Sequence, residues 1–116
     1  MGPDHSRKKI VVLSGGPSCE REISLISGRA VLEALTAKGF DAVGLDPVGD
    51  WIGRLKAEKA WFVFNALHGT FGEDGTVQRI LDGEKIPYTG SGAEASETAF
   101  DKKKTQTLLS RNGLPV

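Results

Sequence analysis

Eight consecutive positions, His68-Gly69-Thr70-Phe71-Gly72-Glu73-Asp74-Gly75, combine an imidazole, two carboxylates and three glycines directly after the apolar run Trp61 to Leu67. Glycine reaches backbone dihedrals that other residues avoid, so a strand that empties into such a loop can bring its backbone close to a ligand. In open α/β sheets, ligands bind outside the carboxyl ends of the strands. A second loop of this kind lies upstream at Ser14-Gly15-Gly16-Pro17-Ser18, with Glu20 just beyond it. Two such loops in one short chain make a candidate site.

The chemistry open to these residues is that of holding charged groups. Glu20 falls at the start of a helical pattern, where the helix dipole favours a carboxylate. It is either a surface glutamate stabilised by that dipole or a carboxylate able to hold a substrate ammonium or orient a catalytic hydroxyl. His68 has two readings as well. Its ring can simply bond a loop carbonyl, or it can place charge beside a substrate carboxylate, since histidine titrates near neutral pH. Glu73 and Asp74 either order their loop, cap a helix starting at Thr76 or, as adjacent carboxylates, contribute to a metal site. No histidine or cysteine ligand cluster accompanies them. Gly15-Gly16 is not a dinucleotide fingerprint, because Pro17, Ser18 and Cys19 stand where the glycine pattern would continue, and it lacks the Lys-Ser/Thr ending of a P-loop. Lys102, Lys103 and Lys104 form a basic run that is either a solvated face or the source of a point charge for a nucleotide phosphate.

The elements that must position these groups alternate in type. Ile10 to Leu13 reads as a buried parallel strand. A helix from about Cys19 to Lys38 carries Ile23, Ile26, Ala30, Val31, Ala34 and Leu35 as its apolar stripe, with Gly39 as a left-handed cap. Ala42 to Leu45 is a second strand, stopped by Asp46-Pro47. Trp51 to Lys59 reads as a weaker helix, Trp61 to Leu67 as a third strand, Thr76 to Gly83 as a short helix and Ile86 to Thr89 as a fourth strand. Ala93 to Phe100 and Asp101 to Arg111 are two further helical stretches. The alternation predicts right-handed βαβ crossovers and an α/β fold with a mainly parallel sheet covered by helices on both faces. Glycines follow the first, third and fourth strands.

With 116 residues one domain is expected, and Met1 to Lys9 reads as a mobile polar tail before it. Fifteen basic and fifteen acidic residues leave no basic field for nucleic acid. The single cysteine, Cys19, fits a reducing compartment. No apolar run is long enough for a bilayer, and the amino-terminal residues carry no apolar signal segment. The expectation is a soluble, cytoplasmic protein.

The segments VVLSGGPSCEREISLISG, NALHGTFGEDGTVQ, IPYTGSG and FDKKKTQ, in this order and spacing, resemble the D-alanine–D-alanine ligases, ATP-grasp ligases that join a carboxylate to an amine. The resemblance runs from Ile10 to Val116 and covers only the family's first, Rossmann-like three-layer domain, which precedes the ATP-grasp domains. It implies roles residue by residue. Glu20 matches the glutamate that contacts the amino group of the first D-alanine and helps orient a serine and a tyrosine of later domains. His68 matches the histidine near that substrate's carboxylate, and Ile23 a position lining the same subsite. Lys102 matches a lysine approaching the ATP phosphates. Gly15, Gly16, Gly69 and Gly72 match points where backbone nears substrate or turns sharply.

The resemblance further implies ATP and magnesium as reaction components, bound mainly by domains that this chain does not include, and a homodimer. Arg79 departs from the small residue usual in the family. The chain is therefore expected to be one part of a ligase that does not form the dipeptide alone. D-alanine–D-lactate ligation, a non-catalytic dimerisation module and a free-standing flavodoxin-like module are the alternatives.

Overall fold

Strand β1, Ile10–Leu13, occupies the interior of the sheet, and all four of its residues are buried. Branched and apolar side chains on every position suit a strand covered on both faces. The computed structural model describes residues 9–17, 19–68 and 75–89. After β1 come helix α1 (Arg21–Ala37), strand β2 (Ala42–Leu45), helix α2 (Trp51–Ala57), strand β3 (Phe62–Asn65), helix α3 (Thr76–Gly83) and strand β4 (Tyr88–Thr89). The strands are all parallel in the order β2-β1-β3-β4. Ile10 sits level with Ala42 on one side and Phe62 on the other, and Leu13 with Leu45 and Asn65.

Side-chain alternation along the strands divides the interior into two cores. Ile10, Val12, Phe62, Phe64 and Ala66 face α1, where they meet Val31, Ala34 and Leu35. Phe62 and Phe64 pack edge to face, with ring centroids 5.5 Å apart. Val11, Leu13 and Val63 face the other way, against Trp51 and Leu55 of α2 and Val77 and Leu81 of α3. The predicted α/β, three-layer parallel arrangement is what the chain adopts. Asp50 caps α2 by accepting from the Gly53 amide at 3.2 Å. Helix α1 ends in a Schellman motif. Gly39 takes φ +90° and donates to Thr36 O, while Phe40 donates to Leu35 O and packs against the same core.

Several boundaries differ from expectation. The third strand stops at Asn65 rather than Leu67, although Ala66 N still donates to Leu13 O at 2.9 Å. The fourth is only Tyr88–Thr89, the length over which it pairs with Val63 and Phe64. Helix α2 ends at Ala57, before Lys59, which takes a positive φ of 55°. Lys9, expected at the end of a mobile tail, is anchored: its carbonyl accepts from Trp61 N at 2.8 Å and its ammonium pairs with Glu58 at 3.1 Å. The rest of the expected tail and the two helical stretches after residue 90 lie outside the described residues.

The largest correction concerns α1. Ile23 and Ile26 do not face the core; they are 55% and 72% exposed. The buried positions are Ser24, Gly28, Val31, Ala34 and Leu35. Ser24, Gly28, Val31 and Leu35 lie at i, i+4, i+7 and i+11, one helical stripe, offset by about 100° from a stripe drawn through Ile23 and Ala30. At Gly28 an added Cβ would fall 2.2 Å from Ser14 Cβ, so the helix backbone lies directly on the end of β1.

Candidate functional site

Strand order reverses between β1 and β3: the chain moves from β1 to β2 on one side, then returns to place β3 on the other. A reversal of this kind opens a crevice at the carboxyl ends of the two strands. The two loops singled out by sequence leave from those ends.

The loop after β1 is held from within. Gly15 and Gly16 take φ of +89° and +76°, a region open to glycine. Gly15 N donates to Ser24 Oγ at 2.9 Å, and Gly16 N donates to Asp46 Oδ1 at 3.0 Å. Arg21 closes the arrangement: Nη1 donates to Gly16 O at 3.2 Å and to Asp46 Oδ1 at 2.9 Å, and Nη2 pairs with Asp46 Oδ2. The Arg21 hydrogen bond, with smaller help from the Gly16 amide and the charges of Arg21 and Arg54, outweighs burial and holds the Asp46 carboxyl below its ordinary value. A Cβ at Gly15 would come within 2.8 Å of that carboxylate. With both amides bonded internally and a carboxylate beside them, this loop is not an anion cradle. A phosphate would meet the charge of Asp46 where a P-loop offers free N–H groups.

The loop after β3 is held by α1. Ser24, buried, donates from Oγ to Ala66 O at 2.8 Å while accepting from Gly15, so one hydroxyl joins both loops. One turn further along, Ser27 Oγ lies 3.1 Å from His68 Nε2. Asn65, also buried, accepts from Leu67 N at 3.1 Å and turns the chain out of the strand. His68 emerges half-buried beyond the carboxyl end of β3.

Three of the predicted site residues share this corner. Glu20 is the exposed residue preceding the first turn of α1, and its carbonyl accepts from Ser24 N. Glu20, Ile23 and Ser27 lie at i, i+3 and i+7, so they share a helix face, and Ser27 fixes that face against His68. Gly15 and Gly16 form the adjoining wall. Gly69, Gly72, Glu73, Asp74 and Lys102 lie outside the described residues, and the residue that precedes α3 is Gly75, at φ +95°. Arg21, read as a surface or salt-bridging group, pairs with Asp46. Ser24, Ser27, Asn65 and Asp46 were not singled out by sequence. The available signal was Ser24-Leu25-Ile26-Ser27-Gly28, small residues at i, i+3 and i+4 within an amphipathic helix, a pattern that marks close approach of backbone.

Among the described residues no three histidine, cysteine, aspartate or glutamate side chains lie together. Nor, among these residues, is any helix long and apolar enough to cross a membrane.

A parallel sheet in this order, with the loops after β1 and β3 joined by Ser24 at its switch point, defines a doubly wound α/β domain. Residues 46–91 match the family described as D-ala D-ala ligase N-terminus. Over 93% of its length the chain is 51% identical to a D-alanine–D-alanine ligase of Ruegeria pomeroyi and 52% identical to D-alanine–D-alanine ligase B of Chromobacterium violaceum, covering 35% and 36% of those proteins. Among solved structures it is similar to the ATP-complexed D-alanine–D-alanine ligase of Bacillus anthracis, with TM-score 0.61 and 30% identity over 91% of this chain and 36% of that one. It is also similar to the VanG D-Ala:D-Ser ligase of Enterococcus faecalis, with TM-score 0.57 and 28% identity over 94% of this chain and 43% of that one. The chain belongs to the D-alanine–D-alanine ligase family, matching the N-terminal part of its members, and spans about a third of the length of the curated relatives.

Proposed function

We propose that this chain forms one wall of the D-alanine site in an ATP-dependent D-alanine–D-alanine ligase that serves peptidoglycan precursor synthesis in the cytoplasm. The observation that carries the reading is identity of about half to such ligases across nearly the whole chain. The corner built by α1 and the two loops supports it, because it offers a carboxylate and an imidazole on one side of a crevice, the pair needed to hold a zwitterion by both ends.

In this reading ATP transfers its γ-phosphoryl group to the carboxylate of the first D-alanine, giving ADP and an acyl phosphate. The amine of the second D-alanine then attacks the acyl carbon and phosphate leaves. Glu20 holds the ammonium of the first D-alanine, His68 faces its carboxylate and Ile23 lines the same subsite. Such positioning converts an encounter into an oriented attack. Gly15, Gly16 and Gly69 shape the wall. Lys102 approaches the ATP phosphates as a point charge. Magnesium, when bound, neutralises phosphate charge, and its ligands belong to parts of the enzyme outside the described residues. The enzyme acts as a homodimer. The likeness to a D-Ala:D-Ser ligase is in keeping with a domain that serves the first D-alanine, the choice of second substrate, D-lactate included, being left to other domains.

The test is phosphate release from ATP in the presence of D-alanine, using the ligase that contains this chain. Glu20→Gln should lower kcat/KM for D-alanine by roughly a hundredfold with the KM for ATP unchanged. The 116-residue chain alone should release none. A whole protein that releases no phosphate with D-alanine, or a fully active Glu20→Gln variant, overturns the reading.

A further inference from the structure

Of the three groups placed at the D-alanine site, Ile23 lies on helix α1 and Glu20 immediately before it, whereas His68 follows β3, the strand beside β1. Something must fix the distance between them. Strand pairing cannot do this alone, since β1 ends at Leu13 and β3 at Asn65, before either loop reaches the site. Seating of α1 on β1 at Gly28 sets how closely the helix approaches but leaves its rotation open. Rotation is set by side chains. Ser24 is buried without any exposed surface, in a helix whose Ile23 and Ile26 are left outside, so a hydroxyl takes a core position in preference to two available isoleucines. Its hydrogen-bonding capacity is used in both directions, accepting from Gly15 N at 2.9 Å and donating to Ala66 O at 2.8 Å. An alanine there would leave a buried N–H and a buried carbonyl without this partner, and no water can take the place of an enclosed side chain without room being made.

We propose that Ser24 is a positioning residue. Its hydroxyl sets the separation and orientation of the loop leading to Glu20 and the loop leading to His68, and so fixes the width of the first D-alanine subsite. Ser27, at 3.1 Å from His68 Nε2, is the second tie from the same helix face and sets the ring's orientation once Ser24 has set the loop. This proposal rests on the ligase reading for the identity of the ligand; the bridge itself stands on geometry. Because Ser24 acts through the loops, its loss is felt by the amino acid held between them and not by ATP.

The experiment uses the ligase that contains this chain and two readouts. In steady-state kinetics Ser24→Ala should raise the KM for D-alanine by roughly tenfold or more while the KM for ATP stays at its wild-type value. Ser24→Cys keeps the side-chain shape but bonds weakly, and it should fall between Ala and wild type; should Ser24→Ala fail to fold, the cysteine variant carries the same test. In amide hydrogen exchange Gly15 should be protected in the wild type and exchange faster in both variants, with Val12 unchanged. An unchanged KM for D-alanine, or equal losses for D-alanine and ATP, overturns the positioning role. Unchanged protection of Gly15 overturns the bridge. A wild-type enzyme that releases no phosphate with D-alanine sinks the ligase reading instead, and the exchange result still decides the bridge.

Discussion

The two halves of α1 are built on opposite rules. From Val31 to Phe40 the core positions are apolar: Val31, Ala34 and Leu35 are buried, and Gly39 and Phe40 close the helix with two backbone hydrogen bonds. From Glu20 to Gly28 the buried positions are a serine and a glycine, and the large apolar side chains Ile23 and Ile26 face outward. A helix made only to cover a sheet would be amphipathic in one phase along its length. Here the carboxyl-terminal half does the covering, and the amino-terminal half gives up apolar burial to place hydrogen bonds beside the two strand ends. Local departure from the simplest pattern is expected where a functional or strained site overrides packing.

The sharpest way to break that contrast is in the covering half. Leu35 is buried without exposed surface, and its carbonyl is one of the two acceptors of the Schellman motif. Leu35→Ala should destabilise the fold by about 2–5 kcal/mol, read as a fall in the denaturation midpoint with the far-ultraviolet spectrum of the native state retained. A loss under about 1 kcal/mol would mean that the carboxyl-terminal half is no more committed to packing than the other.

The second test addresses what holds the amino-terminal half. Arg21, Asp46 and the Gly16 amide form a charged clamp, while the Val31–Leu35 stretch is apolar apart from exposed Glu33. The Asp46 carboxyl sits below its ordinary value, so its contribution is fully present above the unfolded carboxylate value near 3.9 and is lost as pH falls through the lower, folded value. On acidification the Gly16 amide resonance should therefore shift with a midpoint below that of a free aspartate, while Leu35 stays put. Asp46→Asn should abolish the titration and lower stability by much less than Leu35→Ala, since Asp46 is partly exposed and the ion pair is screened. A Gly16 midpoint at or above the free value would remove the clamp from the account.

How much of this could be read beforehand follows from the range of the interactions. The β1 and β2 boundaries, α3 and the Gly39 cap rest on neighbours within a few residues, and they emerge from pattern alone. So does the departure of the two glycine-bearing loops from the carboxyl ends of β1 and β3. The phase of α1 was not legible. Counting apolar residues drew the stripe through Ile23 and Ile26, whereas Ser24 is chosen for the core by Gly15 and Ala66, 9 and 42 residues away. Asp46 read only as the stop of β2, since its partners Gly16 and Arg21 lie 30 and 25 residues back. Glu20 and His68 stand out in the sequence as charged groups at loops, but the contact of His68 with α1 depends on Ser27, a residue with no signal of its own outside the small-residue spacing of Ser24, Ser27 and Gly28.

The smallest expected effect tests the contrast most directly, because it repeats the Leu35 deletion in the other half. Ile26 and Leu35 are isomers on one helix, nine positions apart, and truncating either to alanine removes the same atoms. Only burial differs: Leu35 is fully enclosed and Ile26 is 72% exposed, on the side of α1 opposite Ser24 and Gly28. Removing exposed apolar surface returns little transfer free energy, and alanine is a better helix former than a β-branched residue by a few tenths of a kcal/mol. Ile26→Ala should therefore leave stability within about 0.5 kcal/mol of wild type, with any change tending to stabilise, by the same denaturation assay used for Leu35→Ala. A loss approaching that of Leu35→Ala would show Ile26 to be buried in the folded protein, and the division of α1 into a covering half and a positioning half would fail with it.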